Sequence, residues 1–403
     1  MQLDESAWAV KNKEKLTKIL DERKELFDYH KIKKPFALAD GKPYRISIDL
    51  LDDNPIVQRA WRLGPKQQGV LDDHLNELLA SGVIYPIDDS NYSAVTVLVK
   101  KPGRPGELRV TTDYRRLNAK SKKFAFMSPT ATECFDMTAG ADTFSCIDVH
   151  SAFYCMEVEL KDQPKLAFST HRGMFTYRRM PQGFINSPSA LGAAFHRMLM
   201  TPYTGRGPPG IVGKPCLGNI CCQFVDDILV FSNDEYHADY LDFIFTLMEK
   251  HNLSLRPDKC FLGQKSVKYL GVILSGTGLR VDPGKVEALH KADRPVDPAG
   301  IRRFLGAAGF MRSFIPNFSQ NTAQMTGLLS KGVPWVWDDR HNKEYDYILK
   351  KLASDTCLAV FDHSKPVILR TDASAVGWGA VLTQVHNKIK RPVHYASHRC
   401  SDT

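Results

Sequence analysis

Apolar residues recur along this chain in two rhythms, one of helical and one of strand period. From Gly64 to Ala80, Val70, Leu71, Leu75, Leu78 and Leu79 fall at helical spacing, and Gly82 follows as a stop. Residues 9–30, Pro188–Met200 and Ala238–His251 carry similar stripes. Arg45–Leu50 alternates as a strand after a turn at Asp40–Pro43. Ala94–Val99 and Leu108–Thr112 flank Pro102-Gly103-Arg104-Pro105-Gly106, which predicts a hairpin. Thr143–Asp148, Tyr154–Leu160 and Val267–Leu274 read as strands, and Ile220–Phe231 as an apolar strand pair. Residues 201–218 are rich in Gly and Pro and predict a surface loop. Beyond Val281 the rhythm turns helical, at Pro283–Lys291, Pro298–Phe314 and Tyr345–Ala353. A β-rich stretch begins near Val367. A central sheet with helices followed by a helical section is α+β rather than doubly wound α/β.

Two features of composition change this picture. The 403 residues carry a formal net charge of +9, a surplus suited to a phosphate backbone. Its distribution sharpens the point: Lys100–Lys123 holds nine Lys or Arg against the acids Glu107 and Asp113. The nine cysteines show no Cys-x2-Cys pair and no matching histidines, so zinc is not expected, and reduced core thiols fit better. No run reaches the ~20 apolar residues of a membrane span. The start Met1-Gln2-Leu3-Asp4-Glu5 lacks the layout of a secretion signal. Both point to work inside a cell or a particle assembled there.

The candidate chemistry lies in Phe224-Val225-Asp226-Asp227-Ile228-Leu229-Val230-Phe231-Ser232. Adjacent carboxylates between apolar runs suit neither a solvated face nor a core, which would not hold two unpaired charges. A β-turn presenting both to a divalent cation accounts for them. Upstream, Phe144-Ser145-Cys146-Ile147-Asp148 ends an apolar strand on a third acid. Three carboxylates suit Mg²⁺, which keeps waters and shares substrate phosphates, and two such ions ~4 Å apart serve in-line phosphoryl chemistry. Backbone N–H groups just after Asp148 are candidates for holding triphosphate oxygens.

These segments resemble the palm of reverse transcriptases, most closely those of gypsy-type (metavirid) LTR retrotransposons. The likeness runs in order through Pro55-Ile56-Val57-Gln58 with Arg62-Leu63, then Leu78–Ile84. Val97–Lys101 with Arg109 and Asp113-Tyr114-Arg115-Arg116-Leu117-Asn118 resembles the fingers hairpin. Met180-Pro181-Gln182-Gly183-Phe184-Ile185-Asn186-Ser187-Pro188 follows. Tyr269-Leu270-Gly271 resembles the primer-gripping hairpin, and Phe304-Leu305-Gly306 with Phe314-Ile315-Pro316 the thumb. The resemblance implies a right-hand polymerase. Its parts are an N-terminal extension and start of the fingers at 1–90, fingers and palm at 91–275, thumb at 276–335, helical connector at 336–365 and an incomplete ribonuclease H-like segment at 366–403. It makes Asp148, Asp226 and Asp227 the metal ligands, with the Val149 carbonyl, for two Mg²⁺ ions or Mn²⁺ in their place. Lys101 and Arg109 would bind the incoming triphosphate, with Lys100 the alternative to Lys101 if the register slips by one. Phe153 would crowd a ribose 2′-OH, Gln182 and Gly183 would line the pocket, and Lys259 would protonate or neutralise departing pyrophosphate.

Thr371-Asp372-Ala373-Ser374 with Gly377-Trp378-Gly379 resembles the first strands of a retroelement ribonuclease H domain, Asp372 being its first ligand. Such a site needs further carboxylates, so ribonuclease H activity is not expected from this segment. Phe224 stands where many relatives place Tyr, and Gln182 where gypsy-type elements commonly place Phe. The implied partners are an RNA or DNA template with primer, dNTPs, a second copy or other Pol and Gag products, and no membrane. The implied setting is cytoplasmic virus-like particles, with nuclear entry a further option, and protease and integrase are expected elsewhere in a longer polyprotein. The competing readings are a domesticated, inactive nucleic-acid-binding protein and an RNA-dependent RNA polymerase. Retention of all three acids disfavours the first, and Phe153 with the ribonuclease H-like strands the second.

Overall fold

The computed structural model describes residues 2–3, 11–28, 34–101, 104, 106–233, 235–354, 356–374, 377–386 and 388–400. Pro102, Gly103 and Pro105 of the expected turn and both ends of the expected 9–30 helix lie outside them. The chain forms two compact units. One comprises Met1–Thr130, Cys146–Val230 and Glu235–Leu262, the other Ala131–Ser145, Phe231–Asp234 and Gly263–Thr403.

A five-stranded sheet has the order Gln2–Leu3, Phe261–Gln264, Thr143–Asp148, Asp227–Ser232, Cys221–Phe224. The last two pair antiparallel, with Phe224 opposite Asp227. In the first unit a six-stranded sheet runs Ile56–Val57, Tyr92–Lys100, Phe168–Thr170, Gly173–Tyr177, Ile84–Pro86, with Leu108–Asp113 also on Tyr92–Lys100. The 92–100 and 108–113 strands form the expected hairpin. Against these lie the helices Pro65–Ala80, Ser187–Leu199 and His237–Lys250. The first buries Leu71, Leu75 and Leu78, about 1.5–3 kcal/mol apiece relative to exposure, while Val70 is only partly buried.

Residues 201–218 are a folded loop rather than a slack one. Pro202 and Pro215 form a bridge that closes it. Tyr203 is fully buried beneath it, edge-on to Tyr240 and Phe243. The Tyr203 hydroxyl donates to the Arg206 carbonyl at 2.7 Å. Side chains at Gly205 or Gly207 would collide with or crowd that ring.

In the second unit, helices Pro283–His290, Pro298–Gly309 and Asp339–Leu352 pack with Phe304 against Tyr345 at 4.5 Å between centroids. Asp338 caps the last of these through the Arg340 N–H at 2.9 Å. A four-stranded sheet takes Ser266–Tyr269, Val272–Ser275, Gly278–Val281 and Cys357–Leu358, and a three-stranded antiparallel sheet takes Val367–Ala373, Gly377–His386 and Ile389–Arg399. The expected β-rich stretch near Val367 is this last sheet. Among the described residues no helix is long and apolar enough to cross a membrane.

Three expected strands change. Arg45–Leu50 keeps only Arg45–Ile46 as strand. Tyr154–Leu160 is instead a 3-10 turn at Ala152–Cys155, a two-residue strand at Glu157–Val158 and a second 3-10 segment from Leu160. Val267–Leu274 is a tight hairpin, because Leu270 and Gly271 both adopt positive φ, +45° and +81°.

Candidate active site

The apolar strand Thr143–Asp148 ends on its acid, and the hairpin Cys221–Ser232 places Asp226 and Asp227 at its tip. The tip is a two-residue turn, Val225-Asp226. Val225 holds φ +55°, a conformation that costs an L-residue about 1–2 kcal/mol and suits a β-branched one least. The flanking strands withstand it because Ile228, Leu229 and Val230 are fully buried. The Gln223 carboxamide also donates to the Val225 carbonyl at 3.0 Å and the Gly192 carbonyl at 3.1 Å.

The three carboxylates feel one another. Burial first, then the charges of Asp226 and Asp148, push the Asp227 carboxyl up to about 6. Asp148 is raised by burial and, to a lesser degree, by Asp226, while Lys259 and Arg256 oppose the rise. The Lys259 ammonium stands 3.4 Å from Asp148 Oδ2, and the Arg256 N–H donates to the Asp148 carbonyl at 3.1 Å. Burial, with the charge of Asp227 next, pushes the Cys146 thiol up to about 12, leaving it neutral. Negative charge that is desolvated and mutually repelling is what a divalent cation relieves. Among the described residues no three His, Cys, Asp or Glu side chains form a ready-made ligand cage. An open set of hard oxygen donors, completed by phosphate oxygens, is the chemistry Mg²⁺ takes, and in that sense the donors fit.

The remaining predicted residues divide. Lys101, Arg109 and Gln182 line one cavity of about 870 Å³, with Asp73, His74, Glu77, His150, Ser151 and Tyr154 among its other walls. Arg109 donates to the Gln182 carboxamide oxygen, and Lys101 pairs with Glu107 at 3.0 Å. Gly183 sits at φ +90°. Phe153 is not in that lining; it packs half-buried on the first unit's core. Val149 is buried, bridged to Leu255. The N–H of His150, one of those expected to face a triphosphate, instead donates to the Ser254 carbonyl at 2.8 Å. Asp372 lies exposed on Val367–Ala373, opposite Gly379.

Sequence reasoning passed over three residues that hold the site. Gln223 is one, a buried polar side chain in an apolar run. Asn118 clamps the 182–186 loop, donating to the Gly183 carbonyl and accepting from the Ile185 N–H, both at 2.9 Å. Asn186 does the same for the basic segment, accepting from the Phe124 N–H and donating to the Lys122 carbonyl, again at 2.9 Å. For Gln223 and Asn186, a polar residue at a strand or loop position that ought to be buried was the available signal; Asn118, partly buried on the helix Arg115–Lys120, offered none.

Comparison with protein families gives a class for this carboxylate-tipped hairpin beside an acid-ended strand. Residues 99–274 match the family described as reverse transcriptase (RNA-dependent DNA polymerase), and residues 337–403 match the RNase H-like domain found in reverse transcriptase. The chain thus matches a reverse transcriptase domain and an RNase H-like domain of the kind found in reverse transcriptases, consistent with an LTR-retrotransposon reverse transcriptase.

Its relatives are more particular. It is 31% identical over 365 residues to the transposon Tf2-3 polyprotein of Schizosaccharomyces pombe (strain 972 / ATCC 24843), covering 89% of this chain and 26% of that protein. It is 29% identical over 359 residues to the Retrovirus-related Pol polyprotein from transposon 412 of Drosophila melanogaster, covering 88% and 28%. The chain thus spans about a quarter of the length of these relatives. Among solved structures, the foamy viral protease-reverse transcriptase in complex with RNA/DNA hybrid matches with TM-score 0.80 at 21% identity, over 98% of this chain and 50% of that one. The dRH form in complex with ds DNA gives 0.83 at 21%, over 97% and 65%. The fold is therefore the α+β reverse transcriptase fold.

Proposed function

We propose that this chain is the polymerase part of a retrotransposon Pol protein and extends a primer 3′-OH with dNTPs on RNA and DNA templates. The observation that carries the reading is the electrostatic convergence of Asp148 on the Asp226–Asp227 turn, within a chain that matches the reverse transcriptase family. Nucleic acid bound to the structural neighbours and the +9 charge support a primer–template as the partner.

In this reading Asp148, Asp226, Asp227 and the Val149 carbonyl hold two divalent ions. Bound there, Mg²⁺ or Mn²⁺ supplies activation of the attacking oxygen and charge stabilisation at the leaving one. The chain's own groups do the rest by positioning. Arg109 offers the triphosphate a planar fork and Lys101 a point charge, each exchanging its present partner, Gln182 or Glu107, for phosphate. Gln182, released from Arg109, lines the pocket beside the Gly183 backbone. Phe153 stands against the 2′ position and excludes ribonucleotides. Lys259 neutralises or protonates pyrophosphate as it departs. The fingers–palm–thumb boundaries given above, the ribonuclease H-like role of Asp372, association with other Pol and Gag products, and residence in virus-like particles belong to the same reading.

The test is primer extension on an RNA template with dNTPs and Mg²⁺, run beside Asp226→Asn. Robust extension by the natural chain and at least a 10²-fold loss in the variant is expected, removal of a group central to stabilising transition-state charge costing on the order of 10²–10³. Duplex binding with no extension by either protein would instead identify a nucleic-acid-binding protein without catalysis.

A further inference from the structure

The strained turn that carries Asp226 and Asp227 has a side-chain support on the strand that leads into it. Gln223 is buried to 3% exposure, and its backbone belongs to the strand Cys221–Phe224, opposite Ile228. Its side chain leaves that strand's pairing and donates two hydrogen bonds, to Val225 O at 3.0 Å and to Gly192 O at 3.1 Å.

The first of these carbonyls belongs to the residue held at φ +55°. The second lies in the helix Ser187–Leu199, at a glycine where a Cβ would come within 2.8 Å of the Phe126 ring and 3.2 Å of Ser128 Oγ. That helix is therefore seated closely on segment 126–128 at the point where Gln223 meets it, which makes Gly192 a fixed anchor. One carboxamide links the anchor to the tip of the hairpin.

Resting on the function proposed above, we infer that Gln223 is a positioning residue for catalysis, holding Val225 in its left-handed conformation so that Asp226 and Asp227 are aimed together. The physical logic is that a strained backbone persists only where its surroundings over-determine it. Inward-facing apolar side chains fix the strands, but a two-residue turn has no further ladder bond beyond Phe224 and Asp227. The amide donor supplies the missing constraint. Without it the turn relaxes toward negative φ at residue 225, and the peptide between Val225 and Asp226 rotates, swinging the first carboxylate away. An apolar side chain of the same length would fill the same space and leave the strands paired.

The experiment compares Gln223→Met, Val225→Gly and the double variant with the natural chain, in four measurements. These are kcat and KM for a dNTP, affinity for a primer–template duplex by fluorescence anisotropy, and hydrogen exchange at the amides of residues 224–227. For Gln223→Met we expect kcat to fall about ten-fold, equivalent to ~1.4 kcal/mol, with KM and duplex affinity within about two-fold. Amides 225–227 should exchange faster in that variant. Glycine adopts positive φ without strain, so in the Val225→Gly background the same Gln223→Met change should cost less than about two-fold.

Three results overturn the inference: an unchanged kcat in Gln223→Met, the same loss in both backgrounds, or loss of duplex binding in step with kcat. The last would make Gln223 an ordinary core residue. Absence of extension by the natural chain would instead count against the polymerase reading, while the exchange rates of residues 224–227 would still judge the support of the turn.

Discussion

Replacing Lys259 by Met removes the ammonium 3.4 Å from Asp148 Oδ2, and its effects can be worked from that distance. Two unit charges so placed attract by about 1 kcal/mol in water and about 5 kcal/mol at an effective dielectric of ~20. The side chains are 52% and 30% exposed, so the screened figure applies, and exposed ion pairs of this kind contribute ~0–1 kcal/mol to folding. Stability should therefore barely move. Metal affinity should move more. The same ammonium both occupies Asp148 and repels a dication, and each effect is worth about 1 kcal/mol at this screening. Mn²⁺ binding to the protein without nucleic acid, followed by paramagnetic resonance at pH 8 and low salt, should tighten by about 5–30-fold. Lys259→Arg should leave it close to the natural value. Extension at saturating metal should nevertheless slow in Lys259→Met, because on the proposed function the charge that would meet pyrophosphate is gone. Unchanged or weaker Mn²⁺ binding in Lys259→Met would refute the claim that this lysine stands in for a cation.

Other consequences can be checked directly. Asp227 titrates near 6 in the fold against ~3.9 for an ordinary Asp. Its contribution to stability is therefore fully present below about pH 4 and lost as pH rises through about 6. In EDTA, Asp227→Asn should gain on the natural chain between pH 4 and pH 7.5 in urea unfolding; a gap that does not widen with pH would be the contrary result. Phe153→Val should raise ribonucleotide incorporation at least ten-fold in single-nucleotide extension, and unchanged sugar discrimination would remove the ring from the pocket. Tyr203→Ala empties a fully buried site under the 201–218 loop. It should cost about 3–5 kcal/mol and expose Arg206 and Lys214 to trypsin, whereas cleavage at the natural rate would mean the loop does not depend on that anchor.

The strand ending at Asp148 and the hairpin bearing Asp226 and Asp227 were readable because an acid among apolar residues has few explanations other than a site. Helix Pro65–Ala80 was readable for its period and its flanking Gly and Pro. Failures arose where a turn carried no turn residue ahead of it. Leu270 hides a tight hairpin inside an apolar run. Tyr154–Leu160 looks extended in sequence, yet its first two residues belong to the 3-10 turn Ala152–Cys155 that follows Ser151 at φ +47°. Helix Asp339–Leu352 begins a full turn and more before Tyr345, because its first residues are polar and its start is set by the Asp338 cap rather than by burial. At the site, residue types pointed to the three carboxylates. They did not give the ion pair of Lys259 with Asp148, nor the supports at Gln223, Asn118 and Asn186, each of which joins segments far apart in the chain.

The closed base of the 201–218 loop has a practical use. Its two ends are tied at Pro202 and Pro215, and Gly210 at its outer side is exposed, with open space where a side chain would go. Lengthening a loop whose ends are already joined costs only about 0.6 kcal/mol per doubling. A peptide tag or a dye-bearing cysteine placed at Gly210 would therefore ride on the protein as a passive reporter, letting single molecules be tethered or watched during synthesis while every residue assigned to copying stays natural.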